Sequence, residues 1–142
     1  DSIQYQTADA LILPQVKRFF RDHGFRAQAP RNEHIVIALH QSRLVAALRL
    51  SPVDEYWLLR SMCVIEADRG QGIGSDLLAH CRPWLQQHAV FCFAYPHLQG
   101  FYQRGGFQPL QATTAPPAIA AKFGQYTERG KALLLMQYGA ST

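Results

Sequence analysis

Apolar and polar positions change period several times along the chain, and each change marks an element. Ile3 to Gln6 alternates, as a short strand does. Thr7 or Asp9 offers a side-chain oxygen to open a helix running to about His23. Its apolar positions Leu11, Val16, Phe19 and Phe20 keep to one face, and Gly24 supplies a C-terminal stop. Phe25 to Glu33, with Pro30 inside it, has no period. His34 to His40 and Leu44 to Leu50 are rich in Ile, Val and Leu and flank the turn Gln41-Ser42-Arg43, which predicts a hairpin. After a second turn, Ser51 to Glu55, the run Tyr56 to Ile65 is apolar at nearly every position. Such a run predicts a strand buried on both faces.

Helical periodicity returns from Ile73 to about Gln87, with Ile73, Leu77, Leu78, Cys81, Trp84 and Leu85 facing inward. Pro83 has no amide hydrogen to give, so this helix should kink or end near Cys81 or Arg82. Ala89 to Tyr95 is another buried strand, stopped by Pro96. A strand, a helical crossover and a strand predict a parallel pair. His97 to Arg104 fits a short helix ended by Gly105-Gly106, and Phe107 to Leu110 restarts a strand. Ala118 to Phe123 fits a helix opened by Pro116-Pro117, and Ala132 to Tyr138 is the last strand. The sum is an α/β (α+β) fold, one sheet with helices around it, occupying residues 1–142 as a single domain.

Composition narrows the function classes. With 48% hydrophobic and 17% charged residues, the chain can bury a core. No apolar run approaches a membrane span, and the first residues lack the charged and apolar regions of a signal peptide. Cys63, Cys81 and Cys92 have neither C-x-x-C nor Cys/His metal spacing. They read as reduced, buried thiols of a cytoplasmic protein, and no metal is expected. The net charge of +4 comes mostly from scattered arginines. A nucleic-acid domain would cluster them, so no nucleic-acid partner is expected, and a mildly basic surface suits an anionic ligand.

The stretch Arg69-Gly70-Gln71-Gly72-Ile73-Gly74 joins the buried strand at Tyr56 to Ile65 to the helix that follows. Small residues there let a ligand approach the backbone. The first amides of the helix lack intrahelical acceptors and sit at the positive end of its dipole, which suits a pyrophosphate. The glycines do not form the Rossmann G-x-G-x-x-G, and no lysine follows as in a P-loop. Arg69, Gly72 and Gly74 do fill the fixed positions of [RQ]-x-x-G-x-[GA], the signature of the GCN5-related N-acetyltransferases (GNAT). Downstream, Gly100-Phe101-Tyr102-Gln103-Arg104-Gly105-Gly106-Phe107 resembles that family's FY-x-x-x-GF element. The chain therefore resembles the GNAT superfamily along almost its whole length.

The resemblance implies the GNAT fold: a mixed, mostly antiparallel sheet whose central parallel strands splay apart, flanked by helices. It implies acetyl-CoA as the acetyl donor. The pyrophosphate would lie on the amides of Arg69, Gly70, Gln71, Gly72, Ile73, Gly74 and Ser75. The pantetheine would pair with the strand at Met62, Cys63 and Val64, with an amide near Met62 facing the thioester oxygen. Tyr102 stands at the family's tyrosine position, where a phenol can protonate the departing thiolate. As a residue type alone, Tyr102 reads more as a packed aromatic, and it is the motif that favours the proton-donor role. Homodimerisation is implied by resemblance only.

Two further side-chain questions arise. Arg60 is a charge within an apolar strand and needs a partner or a cleft. Alternation places it on the face of Leu58 and Met62, and its fork suits the carboxylate of an amino-acid-like acceptor. The family's strand glutamate is missing here. Glu66, Asp68, Glu33, His34 and His97 remain as candidate bases, none preferred. LLRSMCV and APPAIAAKF…LLLM are more loosely similar to small acetyltransferases related to N-acetylglutamate synthase, including arsenic-resistance ones, although the tail departs from that group. The expected function is acetyl transfer from acetyl-CoA to the amine of a small molecule, an amino acid or analogue. The competing readings are a protein or peptide N-acetyltransferase, a non-catalytic acyl-CoA-binding module and a basic RNA-associated domain.

Overall fold

A computed structural model describes residues 2–25, 32–65 and 70–139. Seven strands form one sheet in the order β1-β2-β3-β4-β5-β7-β6. The strands are β1 Ile3–Thr7, β2 His34–His40, β3 Arg43–Val53, β4 Tyr56–Val64, β5 Val90–Ala94, β6 Phe107–Pro109 and β7 Leu134–Tyr138. The helices are α1 Leu13–Asp22, α2 Ile73–His80, α3 Arg82–Leu85, α4 Gln99–Arg104 and α5 Pro117–Glu128. The pairs β1–β2, β2–β3, β5–β7 and β6–β7 are antiparallel, whereas β4 and β5 run parallel over three pairs, Trp57–Val90, Leu58–Phe91 and Leu59–Cys92. The chain divides into two compact units, residues 1–51 with 60–82, and residues 52–59 with 83–142. Strands β3 and β4 run from one unit into the other.

In the first unit, alternate residues of β2 line the sheet face under α1. Val16, Phe19 and Phe20 of α1 pack on Ile35, Ile37, Leu39, Ala47 and Cys63. The helix starts later than its polar opener suggested. Asp9 Oδ1 accepts the amides of Leu11 and Ile12 at 3.0 and 3.1 Å, so it caps the preceding turn, and Pro14 then fits the first helical turn. Only Gln41 and Ser42 form the β2–β3 turn, both left-handed at φ 52° and 66°. Two such residues match the twist of the flanking strands, which leaves Arg43 free to begin β3.

In the second unit, Val53, Leu58, Phe91, Ile119 and Leu135 form a buried cluster with Tyr56, Phe93 and Phe123 against it. The helix after the glycine turn stops at His80, and Arg82–Leu85 forms a separate turn, as Pro83 requires. Helix α5 is twice as long as its apolar core suggested, because Gln125 to Glu128 continue it with polar side chains. Trp57 meets Trp84 edge-to-face at 4.9 Å between ring centroids, and Trp84 stacks on His88 at 3.8 Å. The His88 ring nitrogen Nδ1 lies 2.7 Å from the Trp84 carbonyl, which accepts its proton.

Strand β4 departs most from expectation. Only Leu58, Leu59 and Cys63 are buried, and the remaining positions are half-buried. Ser61, in mid-strand, has φ 56°. A left-handed residue inside a strand breaks its two-residue period, so alternation does not carry Arg60 onto the face of Met62.

Candidate active site

The start of α2 is built as an anion site requires. Gly72 is its N-cap at φ 81° and carries no side chain to cap the helix. The first intrahelical bond runs from the Asp76 amide to the Gly72 carbonyl at 2.9 Å. The amides of Ile73, Gly74 and Ser75 precede that bond, so the helix offers them no acceptor. Gly70 is also left-handed, at φ 84°. Gly70, Gln71, Gly72 and Ser75 are exposed, and Ile73 anchors the turn in the core at 4% exposure. Nothing lies within 4 Å of a Cβ built on Gly70 or Gly72, so backbone conformation rather than crowding demands glycine there. Arg69, Glu66 and Asp68 lie outside the described residues.

At the far end of β4, Met62 and Val64 are half-buried and Cys63 lies in the core under α1. Arg60 is half-buried as well and makes no ion pair with another described residue. Ser61 is held by Arg49, whose Nη2 donates to Ser61 Oγ at 2.7 Å. Arg49 is 3% exposed and lies over the Phe20 ring, 4.8 Å from its centroid. Two residues on, Ser51 is 2% exposed and donates its hydroxyl to Glu33 Oε2. Sequence reasoning named Glu33 but missed Arg49, Ser51 and Ser61. The one available signal was two polar residues, Arg49 and Ser51, alternating within an apolar strand.

In the second unit, Tyr102 lies on α4 with its ring edge-on to Phe101 and Phe107, at 5.1 and 5.8 Å. Burial, and to a lesser degree electrostatic interaction with Cys92, raises its phenol above the usual tyrosine range. The hydroxyl is therefore protonated at neutral pH and available to donate. Burial likewise raises the Cys92 thiol, which stays neutral. The remaining base candidates are less well placed. His97 is exposed and stacks on Tyr95, and His34 is already engaged. Among the described residues, no group of three or more His, Cys, Asp or Glu could hold a metal ion.

These features match known proteins. Residues 31–109, more than half of the chain, match the family model for the GNAT acetyltransferase domain. N-acetylglutamate synthase from Neisseria gonorrhoeae, solved with coenzyme A and N-acetyl-glutamate, is similar over 97% of this chain at a TM-score of 0.70 and 16% identity. This chain spans 35% of that protein's length. Escherichia coli ElaA is similar over 96% of this chain and 99% of its own, at 0.67 and 19%. Arabidopsis thaliana Naa50, solved with the bisubstrate analogue CoA-Ac-MVNAL, is similar over 96% and 98%, at 0.63 and 15%. No curated protein matches the sequence significantly. A glycine-capped helix after a mid-sheet strand, one parallel strand pair and the family model together place this chain in the GNAT acetyltransferase family.

Proposed function

We propose that this protein transfers the acetyl group of acetyl-CoA to the amine of a small molecule, an amino acid or close analogue. The observation that carries this reading is the left-handed Gly72 cap, which leaves the amides of Ile73, Gly74 and Ser75 without helical acceptors. A pyrophosphate supplies those acceptors and meets the positive end of the α2 dipole. Gly70 and Gln71 continue the same turn, and Arg69 precedes them in the sequence. Met62, Cys63 and Val64 would guide the pantetheine arm along β4, and the Met62 amide would donate to the thioester oxygen as it gains charge.

The chemistry needs a neutral amine. Once the ammonium has lost a proton, the nitrogen attacks the thioester carbon, the C–N bond forms and the C–S bond breaks. The bonding pair leaves on sulfur, and the Tyr102 hydroxyl gives that sulfur a proton. The Tyr102 oxygen is reprotonated by the second hydrogen leaving the nitrogen, so the phenol ends as it began. Arg60 supports the acceptor class, since a half-buried guanidinium with no ion pair to a described residue suits a substrate carboxylate. The three cysteines are free and buried, which fits a reducing compartment, and the reading places the enzyme in the cytoplasm. No helix among the described residues is long and apolar enough to cross a membrane.

Titration calorimetry with acetyl-CoA, followed by thiol release against a panel of amino acids, polyamines and peptides, tests the whole reading. Saturable binding with turnover on amino acids is the expected result. Turnover confined to peptides would move the acceptor to a protein or peptide amine. Binding without turnover on any amine would leave an acyl-CoA-binding module.

A further inference from the structure

The sheet face under α1 ends in a row of polar side chains that nothing so far has used. Directly beyond the His34–Leu50 pair that ends the β2–β3 ladder, Glu33 meets Ser51. Ser51 Oγ donates to Glu33 Oε2 and fixes the carboxylate's orientation. The other oxygen, Glu33 Oε1, is shielded from solvent and has no hydrogen-bond partner among the described residues. A carboxylate oxygen in that position is costly, and native structures rarely keep one without a use. Arg49 and Ser51 alternate along β3, roughly 7 Å apart, so they share this face. Arg49 in turn holds Ser61, the residue before Met62. All of these residues belong to the first unit.

We propose that Glu33 receives the acceptor's ammonium group on Oε1 and takes its first proton, with Ser51 as a positioning residue. This rests on the reading above that the thioester lies at Met62, one residue from the end of the polar row. An ammonium supplies the donor that Oε1 lacks, and it is the state in which an alkyl amine arrives at neutral pH. One proton moves from nitrogen to the Glu33 carboxylate, leaving a neutral amine and a carboxylic acid. The acid returns that proton to water after the product leaves. Glu33 thus takes the role that the family's missing strand glutamate would fill, from the residue just before β2.

Glu33→Gln tests this, because an amide keeps the bond to Ser51 but cannot take a proton. With an alkyl amine acceptor, kcat/KM should fall about 100-fold near neutral pH, the scale of losing one positioned base. The deficit should shrink to within several-fold for an acceptor already neutral at that pH, such as an aryl amine or hydroxylamine. Acetyl-CoA affinity and the thermal midpoint should hold, which separates this from misfolding. Equal activity of variant and wild type on alkyl amines across pH would overturn the proposal. So would a deficit that is the same for neutral acceptors. Binding gives an independent arm: with coenzyme A present, a simple alkylammonium should raise the thermal midpoint of wild type and not of Glu33→Gln. No such shift in wild type would also overturn it. Absence of turnover by wild type on every amine would sink the enzymatic reading while leaving this binding result to stand or fall alone.

Discussion

Tyr102 and Arg60 carry the sharpest residue-level consequences. The Tyr102 phenol is half-buried and held protonated, the state a proton donor needs. Tyr102→Phe keeps the ring's edge contacts with Phe101 and Phe107 and removes only the hydroxyl. Turnover should fall at least about tenfold, with acetyl-CoA affinity by calorimetry unchanged. A Phe variant with full kcat would exclude Tyr102 from the reaction. For Arg60→Ala, the expected result is an acceptor KM raised about tenfold or more with little change in donor binding, since a lost charged hydrogen bond costs about 1.5–3 kcal/mol. Steady-state kinetics with the acceptor varied reads this directly. An unchanged KM would return Arg60 to the surface.

Among the elements, the two glycine positions with the clearest demands are Gly72 and Gly106. A Cβ on Gly106 would fall 2.7 Å from Tyr138 Cε1, at φ 105°. Gly106→Ala should therefore lose about 2–4 kcal/mol by denaturant unfolding, combining an unfavourable backbone with overpacking. Gly72→Ala meets open space and bears only the left-handed backbone term, about 1–2 kcal/mol. Its loss should appear instead as weaker acetyl-CoA binding, because the cap aims the α2 amides. Most element types were legible in the sequence, because hydrophobic period and Pro83 report local geometry. Boundaries slipped where polar residues extend an element, as at the end of α5, or where a cap serves a turn, as Asp9 does. The glycine turn and Tyr102 were readable because a motif fixes them. The Glu33–Ser51 and Arg49–Ser61 contacts were not, since they join residues 18 and 12 positions apart through the β-sheet. Ser61's left-handed backbone leaves no mark on residue type at all.

For the molecule as a whole, buried acids shape stability against pH. Burial pushes the Cys81 thiol up to about 12 and also raises Cys92 and Tyr102 above their ordinary values. Below about pH 8.5 both folded and unfolded chains hold these protons, so the contribution is whole there. As pH rises past that point the unfolded chain releases them first, and stability must fall. Each group adds a slope of up to about 1.4 kcal/mol per pH unit. Thermal midpoints under reducing conditions should hold to about pH 8.5 and drop steadily toward pH 10.5, and Cys81→Ala should flatten the drop. A midpoint flat over that interval would contradict the burial of these groups. The ring cluster at Trp57, Trp84 and His88 has its own bearing on such measurements. It contains both tryptophans of the chain and sits wholly in the second unit. Intrinsic emission is thus a local lamp: it watches one half of the molecule, and the loosening of the other half must be followed by some other light.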